Sequence, residues 1–440
     1  DPDIDILMQS IILTRTIVKE VMANETLTIP EALKDRNNPD WYNEGDTRGE
    51  LHKLFAVAAI TMDDDSTQMS STKFLNMSED DINIVLASLI ATETIKTELR
   101  GMDKLVIDET NPLFKWEDSF DGDERTDGEL RKLLTSATLL VENEEIKIDK
   151  ILTLSHVQLD QLCQSRIIVD STVKELETMT AETGSLYKVL YLPDKAETEY
   201  HGSGGELKRF LIALQYLKNA NTTPDQGIAD MKTISIASLT DEHQGEILAS
   251  AIISNTIITN IVTEANRDAS PLVLPAKFVE DDPAYDESAW EGELPKFLDT
   301  VAVFLGEDAD LSHMNISAEN FTNLTDGTVD LNENGVIDKE EDEIKTITSS
   351  DIIAYTIVQE IIKESTREGS ILKIPNDVTD EVWYGNDGEL RKFLMAVSAI
   401  TGNGLEVDEN KFLNLSDNEI TRIVNSRVLS YSIVKKLEDE

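Results

Sequence analysis

Gly128-Glu129-Leu130-Arg131-Lys132-Leu133-Leu134-Thr135-Ser136-Ala137 decides how this 440-residue chain is read. Leu130, Leu133, Leu134, Ala137 and Val141 stand at i, i+3, i+4, i+7 and i+11, the spacing of one face of an amphipathic helix. The opening tripeptide recurs at Gly49, Gly205, Gly292 and Gly388, giving intervals of 79, 77, 87 and 96 residues. A repeat of this period describes how a chain is built before any chemistry is assigned. In four copies a capping-box pair precedes the helix: Thr47 with Glu50, Thr126 with Glu129, Ser203 with Glu206 and Asn386 with Glu389. There the Glu is expected to reach back to the cap residue's backbone N–H. The fourth copy differs, with Trp290 at the cap position and Pro295 in the first turn.

A second helical pattern alternates with the first. Its aligned serines are Ser10, Ser88, Ser165, Ser250, Ser350 and Ser426. Six residues after each stands Thr16, Thr94, Ser171, Thr256, Thr356 or Ser432. Ile82, Val85, Leu86, Leu89 and Ile90 predict one continuous helix through Ser88, and Ser78, Ser155, Thr240 and Ser416 supply N-caps. A hydroxyl in mid-helix bonds its own backbone carbonyl and lets a neighbouring helix approach, so the serines are expected to pack and not to react.

Short extended pieces follow, at 27–30, 105–108, 272–275 and 372–375. Proline stops the helix there, and the alternation suits a strand or bridging segment. An aromatic comes next each time: Trp41, Trp116, Tyr200, Trp290 and Trp383. Buried anchoring is the expectation, with stacking on a sugar ring as the alternative.

From each serine to the next Gly-Glu-Leu glycine the distances are 39, 40, 40, 42 and 38; from glycine to serine they are 39, 37, 45, 58 and 38. One connection is nearly fixed and the other is free to grow. Insertions in repeat arrays collect on one surface, often the binding surface. The expected fold is mainly α: tandem helical repeats of two helices and a short extended linker, about 78 residues each, in an elongated array. A closed α/α toroid is the alternative. The repeats are placed at 1–77, 78–154, 155–238, 239–347 with the insertion, and 348–415, with 416–440 as the first helix of a further repeat.

The largest insertion contains Asp330-Leu-Asn332-Glu-Asn334-Gly335-Val336-Ile337-Asp338-Lys-Glu-Glu341. Calcium takes six to eight oxygens from a flexible loop, and this spacing delivers them. Asp330, Asn332 and Asn334 would bind at positions 1, 3 and 5, and Gly335 permits the turn at position 6. The Val336 carbonyl would bind at 7, Asp338 at 9 directly or through water, and Glu341 at 12 with both oxygens. Ile337 would face the core. These twelve residues resemble the EF-hand loop, including dockerin-type and related extracellular calcium loops. The resemblance implies a Ca2+ ion and covers residues 330–341 only. The preceding residues 321–329 do not read as a helix, and no second loop is present. Neither a dockerin's cohesin binding nor a sensor's opening motion is therefore carried over. A structural ion is the expectation. Asp63-Asp64-Asp65, and Asp121-Gly122-Asp123 with Asp127, read as solvated acidic loops.

Composition frames the rest. The chain has 86 acidic and 39 basic side chains, a formal charge of -47. A field of that sign repels nucleic acid and anionic membranes and gathers divalent cations. The lone Cys163 sits on an apolar helix face and reads as a core thiol. No apolar run is long enough to cross a bilayer, so no membrane insertion is expected in this segment. No signal peptide opens the chain, which reads as a window from a longer protein.

The five histidines, His52, His156, His201, His243 and His313, lack metal-ligand spacing, and no Gly-x-Ser-x-Gly or phosphate loop appears. The chain is expected not to be an enzyme. Its expected place is extracellular or on the cell surface, as a filament, surface-layer or stalk component. It would associate with itself or hold a cell-surface protein or glycan ligand. Sequons at Asn24, Asn76, Asn221, Asn315, Asn320, Asn323 and Asn414 accord with that setting. The alternative is a glycan-active or glycan-binding toroid with its carboxylates on one rim.

Overall fold

A computed structural model of the chain describes residues 2–42, 48–61, 77–103, 105–111, 114–116, 120–121, 124–125, 128–142, 145–146, 150, 153–181, 190–192, 197–219, 241–268, 270–278, 287–305, 324–325, 327, 342–385, 387–400 and 414–439. The protein is mainly helical. Among the described residues the other regular structure is short 3-10 turns and two small antiparallel hairpins. The hairpins pair Phe120 with Arg125 and Val141 with Ile146.

The Gly-Glu-Leu segments form helices as their periodicity requires: Glu50–Thr61, Glu129–Leu140, Glu206–Asn219 and Glu389–Ile400. Leu130, Leu133, Leu134 and Ala137 are buried along one stripe. Val141 departs from the expectation, because the helix ends at Leu140 and Val141 begins a hairpin strand. The fourth helix, Glu287–Leu305, starts before Trp290, so that tryptophan lies inside the helix and is not its cap. Pro295 is internal too.

The second pattern differs more from expectation, because each serine divides the expected single helix in two. Pro2–Met8 (α1) and Ile11–Ala23 (α2) flank Ser10, and Glu79–Ala87 and Leu89–Arg100 flank Ser88. His156–Cys163 and Arg166–Ala181 flank Ser165, and Asp241–Leu248 and Ala251–Ala265 flank Ser250. Glu343–Ser349 and Asp351–Thr366 flank Ser350. Residues 416–440, expected as one helix, hold Asp417–Asn425 and Arg427–Asp439 around Ser426.

Ser88 has extended backbone angles, φ -90 and ψ 120, which end one helix and cap the next. The break turns the apolar face. Ile82, Val85 and Ile90 are buried, while Leu89, on the same stripe of an unbroken helix, is 43% exposed. Ser78, Ser155 and Ser416 form complete capping boxes with Asp81, Gln158 and Glu419. Thr240 lies outside the described residues.

By its contacts the chain divides into two compact units, Asp1–Lys188 with Asp194–Gln215, and Val189–Pro193 with Tyr216–Glu440. In the first unit, Val18, Leu33, Trp41, Leu51, Leu54 and Ile90 make one buried cluster. Val57, Met77, Ile82, Val85, Ala91, Ile95, Leu130 and Leu134 make another. Each cluster joins a Gly-Glu-Leu helix to broken helix pairs. In the second unit Ala396, Ile400, Ile423 and Leu429 do the same. Removing an aliphatic side chain of this size from water stabilises by roughly 2 kcal/mol.

Candidate functional site

In four copies the glutamate of Gly-Glu-Leu reaches across the fold to a serine far along the chain. Glu50 Oε1 accepts from Ser88 Oγ at 2.6 Å and from the Ile90 N–H at 2.9 Å, and its Oε2 accepts from the Leu89 N–H at 3.0 Å. Glu129 takes the same three donors from Ser165, Arg166 and Ile167, at 2.7, 3.0 and 2.9 Å. Glu293 takes them from Ser350, Asp351 and Ile352, at 2.6, 2.8 and 2.9 Å. Glu389 accepts from Ser426 Oγ at 2.9 Å and the Val428 N–H at 3.0 Å.

The serine hydroxyl also accepts from the third amide of its helix, that of Ala91 or Ile353, at 3.2 Å. The first N–H groups of a helix lack intrahelical partners, and here one carboxylate and one hydroxyl satisfy three of them. The carboxylate sits at the positive end of the helix dipole. Of the expected cap residues, Thr47, Thr126 and Asn386 lie outside the described residues. Burial is the largest influence on the carboxyls of Glu129 and Glu293 and raises them above the ordinary range, although the three donors pull the other way.

The glycine has an equally specific reason. A Cβ at Gly388 would lie 2.5 Å from the Trp383 carbonyl oxygen, and one at Gly49 or Gly205 would collide with the backbone of Tyr42 or His201. The helix start therefore presses directly on the aromatic segment. Trp41, Tyr200, Trp290 and Trp383 are buried, and Trp41 Nε1 donates to the Leu33 carbonyl at 2.9 Å. Trp116 is partly buried beside Phe114 and Arg100. The four buried rings anchor the chain and have no face left for a sugar.

The extended pieces pair with hydroxyls instead of strands. The Thr28 N–H donates to Thr94 Oγ1, Val106 to Ser171 and Tyr191 to Thr256, each at 2.9 Å. Val273 donates to Thr356 at 3.0 Å and Lys373 to Ser432 at 2.8 Å. The hydroxyl six residues after each of these serines thus receives the extended piece that precedes it in sequence. The hydroxyls were visible in the sequence. Their partners, and the extended piece at 190–192, were not, because the pairing spans 59 to 83 residues.

Every expected calcium ligand, Asp330, Asn332, Asn334, Val336, Asp338 and Glu341, lies outside the described residues. The base of that loop lies within them. The Thr325 N–H donates to Glu343 Oε2 at 2.8 Å, the Glu343 N–H to Thr325 Oγ1 at 3.1 Å, and the Ile344 N–H to the Thr325 carbonyl at 3.2 Å. Asp342 caps the following helix by accepting from the Lys345 N–H at 3.0 Å. Its two oxygens also receive the Arg391 guanidinium, at 3.2 and 3.0 Å. Gly327 has φ +73, and a Cβ there would lie 2.7 Å from Asp342 Oδ2.

The two ends of the segment are therefore fixed side by side, which lowers the ordering cost of closing an ion-binding loop between them. A donor set of carboxylates, carboxamides and one carbonyl suits a hard cation. Thr325, Asp342, Glu343 and Arg391 carried no sequence signal, since their pairing crosses the insertion.

Among the described residues no three or more His, Cys, Asp or Glu side chains gather as they would around a metal. The side chains of Asp63, Asp64, Asp65, Asp121, Asp123 and Asp127 fall outside that description. Cys163 is buried, as expected, and burial pushes its thiol up to about 12. His52 is buried with Nε2 3.2 Å from Asp5, and His201 Nε2 stands 2.9 Å from Asp170. Asn24 and Asn414 are exposed. No helix of the described residues is long and apolar enough to cross a membrane. No family model, no curated protein and no solved structure matches the chain.

Proposed function

We propose that the chain is an extracellular, calcium-stabilised protein of tandem α-helical repeats, with a structural or adhesive role in a cell-surface filament, surface layer or stalk. The observation that carries this reading is the recurrence of one buried carboxylate cap, at Glu50, Glu129, Glu293 and Glu389, with the same kinds of partners. The most repeated chemistry in the chain joins one segment to the next. A chain built this way transmits load and sets spacing, and it needs no catalytic centre. Linear stacking of such units gives an elongated array.

The candidate calcium loop falls in the largest insertion, between ends held by Thr325, Glu343 and the Asp342–Arg391 pair. Bound Ca2+ would rigidify that insertion for a protein or glycan ligand, or for another copy of the chain. Small-angle scattering with sedimentation analysis tests the reading. An elongated particle is expected, and a compact globular one would overturn it in favour of a closed toroid.

A further inference from the structure

The α1/α2 edge differs from its five counterparts in one respect: positions buried in those are open in this one. Leu7 is 38% exposed, Ile12 80% and Leu13 48%, whereas the residues aligned with each at the other five serines are at most 9% exposed. Those aligned with Ile12 are Ile90, Ile167, Ile252, Ile352 and Val428, all fully covered. Ser88, Ser165, Ser250, Ser350 and Ser426 are likewise fully buried, but Ser10 is only partly so. Thr16 is exposed and donates to its own helix, at the Ile12 carbonyl, 2.8 Å away. Each of its five counterparts also accepts from an extended piece. Among the described residues no carboxylate accepts from the Ile11 and Ile12 N–H groups, which correspond to the amides that Glu50 and Glu129 receive.

From this we infer that the α1/α2 edge is a docking site for one further unit of the same chemistry: an extended linker followed by a Gly-Glu-Leu helix. The glutamate would accept from Ser10 Oγ and from the Ile11 and Ile12 N–H groups. The linker would place one backbone N–H on Thr16, and the helix would cover Leu7, Ile12 and Leu13. The occupant is specified by the filled sites in this same chain, which show what each of these groups receives. A single negative charge arriving at a helix N-terminus also fits the dipole. The inference rests on packing alone and holds whether or not calcium binds or the array is long.

The test joins a copy of residues 370–416 ahead of Asp1 in the full chain. This sets the copied Glu389 as far before Ser10 as Glu389 stands before Ser426. Hydrogen exchange at the Ile11, Ile12 and Leu13 amides is then compared with that of the unaltered chain. Slowing by roughly 10- to 100-fold is expected, as for amides gaining a charged acceptor. Glu389→Gln in the copied segment alone, or Ile12→Lys, should remove most of it.

Equal exchange in the joined and unaltered chains would overturn the inference. So would slowing that survives both substitutions. If the unaltered chain is itself a dimer that Ile12→Lys returns to monomer, the occupant is a second copy's surface and the inference fails.

Discussion

Ser350 Oγ donates to Glu293 Oε1 at 2.6 Å, across 57 residues of sequence that include the whole candidate calcium loop. The same contact joins Glu129 to Ser165 and Glu50 to Ser88 over 36 and 38 residues. The join is therefore indifferent to what is inserted between its partners. An insertion can grow in the variable connection while the two helices it links keep their geometry. This explains how the connection containing the insertion tolerates length.

Removing the carboxylate leaves buried donors at a helix start. Glu129→Ala is expected to cost about 3 kcal/mol, and Ser165→Ala about 1 kcal/mol. Glu129→Gln should fall between wild type and Glu129→Ala, since the amide retains one acceptor. Denaturant unfolding of the three variants measures this. Equal stability of wild type and Glu129→Ala would show that the cap contributes nothing.

Burial raises the carboxyls of Glu129 and Glu293 in the folded chain. Between the ordinary carboxylate range and the raised values the folded state binds more protons than the unfolded one. Stability therefore falls as pH rises through that window. Acidification from neutral pH toward the ordinary carboxylate range should raise the melting temperature, helped by relief of self-repulsion on so acidic a chain. The double variant Glu129→Gln, Glu293→Gln isolates the first contribution, and its melting temperature should rise less. An identical pH slope would contradict it.

Glycine substitutions should separate by copy. Gly388→Ala and Gly49→Ala drive a methyl into backbone and should destabilise by about 2 kcal/mol. Gly292 lies inside a helix with open space around it, so Gly292→Ala should stabilise by up to about 1 kcal/mol. Thermal melts of the three variants give the sign directly.

Calcium should raise the thermal stability of the region around 306–347, and chelation should lower it. Glu341→Gln removes the proposed bidentate ligand and should weaken calcium binding by calorimetry. Arg391→Ala, which removes the guanidinium held by Asp342 at the base of the loop, should weaken it by roughly 10-fold. A chain whose melting is the same with calcium and with chelator does not carry this site.

The helices beginning at Glu50, Glu129 and Glu389 were legible because apolar periodicity is a local signal. So were the caps at Ser78, Ser155 and Ser416, whose partners are three residues away. The break at Ser88 was not. Val85, Leu86, Leu89 and Ile90 fit one helical stripe, whereas the extended serine is held by its own cap on the Ala91 N–H and by Glu50, 38 residues upstream. Of the candidate calcium site, the ligand spacing was legible and the pairing of Thr325, Glu343 and Arg391 at its base was not.

By itself the sequence determined where most of the helices lie, which faces are apolar, the repeat phase and the candidate calcium ligands at 330–341. All of these are set by spacing along the chain. Only the tertiary structure decided what Gly-Glu-Leu is for. At Gly49, Gly205 and Gly388 the glycine lets the helix start touch the backbone of an aromatic segment, and the glutamate caps a helix that begins 39 residues later at Glu50 and 58 later at Glu293. Both depend on which groups burial brings together and leaves needing a partner, and no local pattern encodes that.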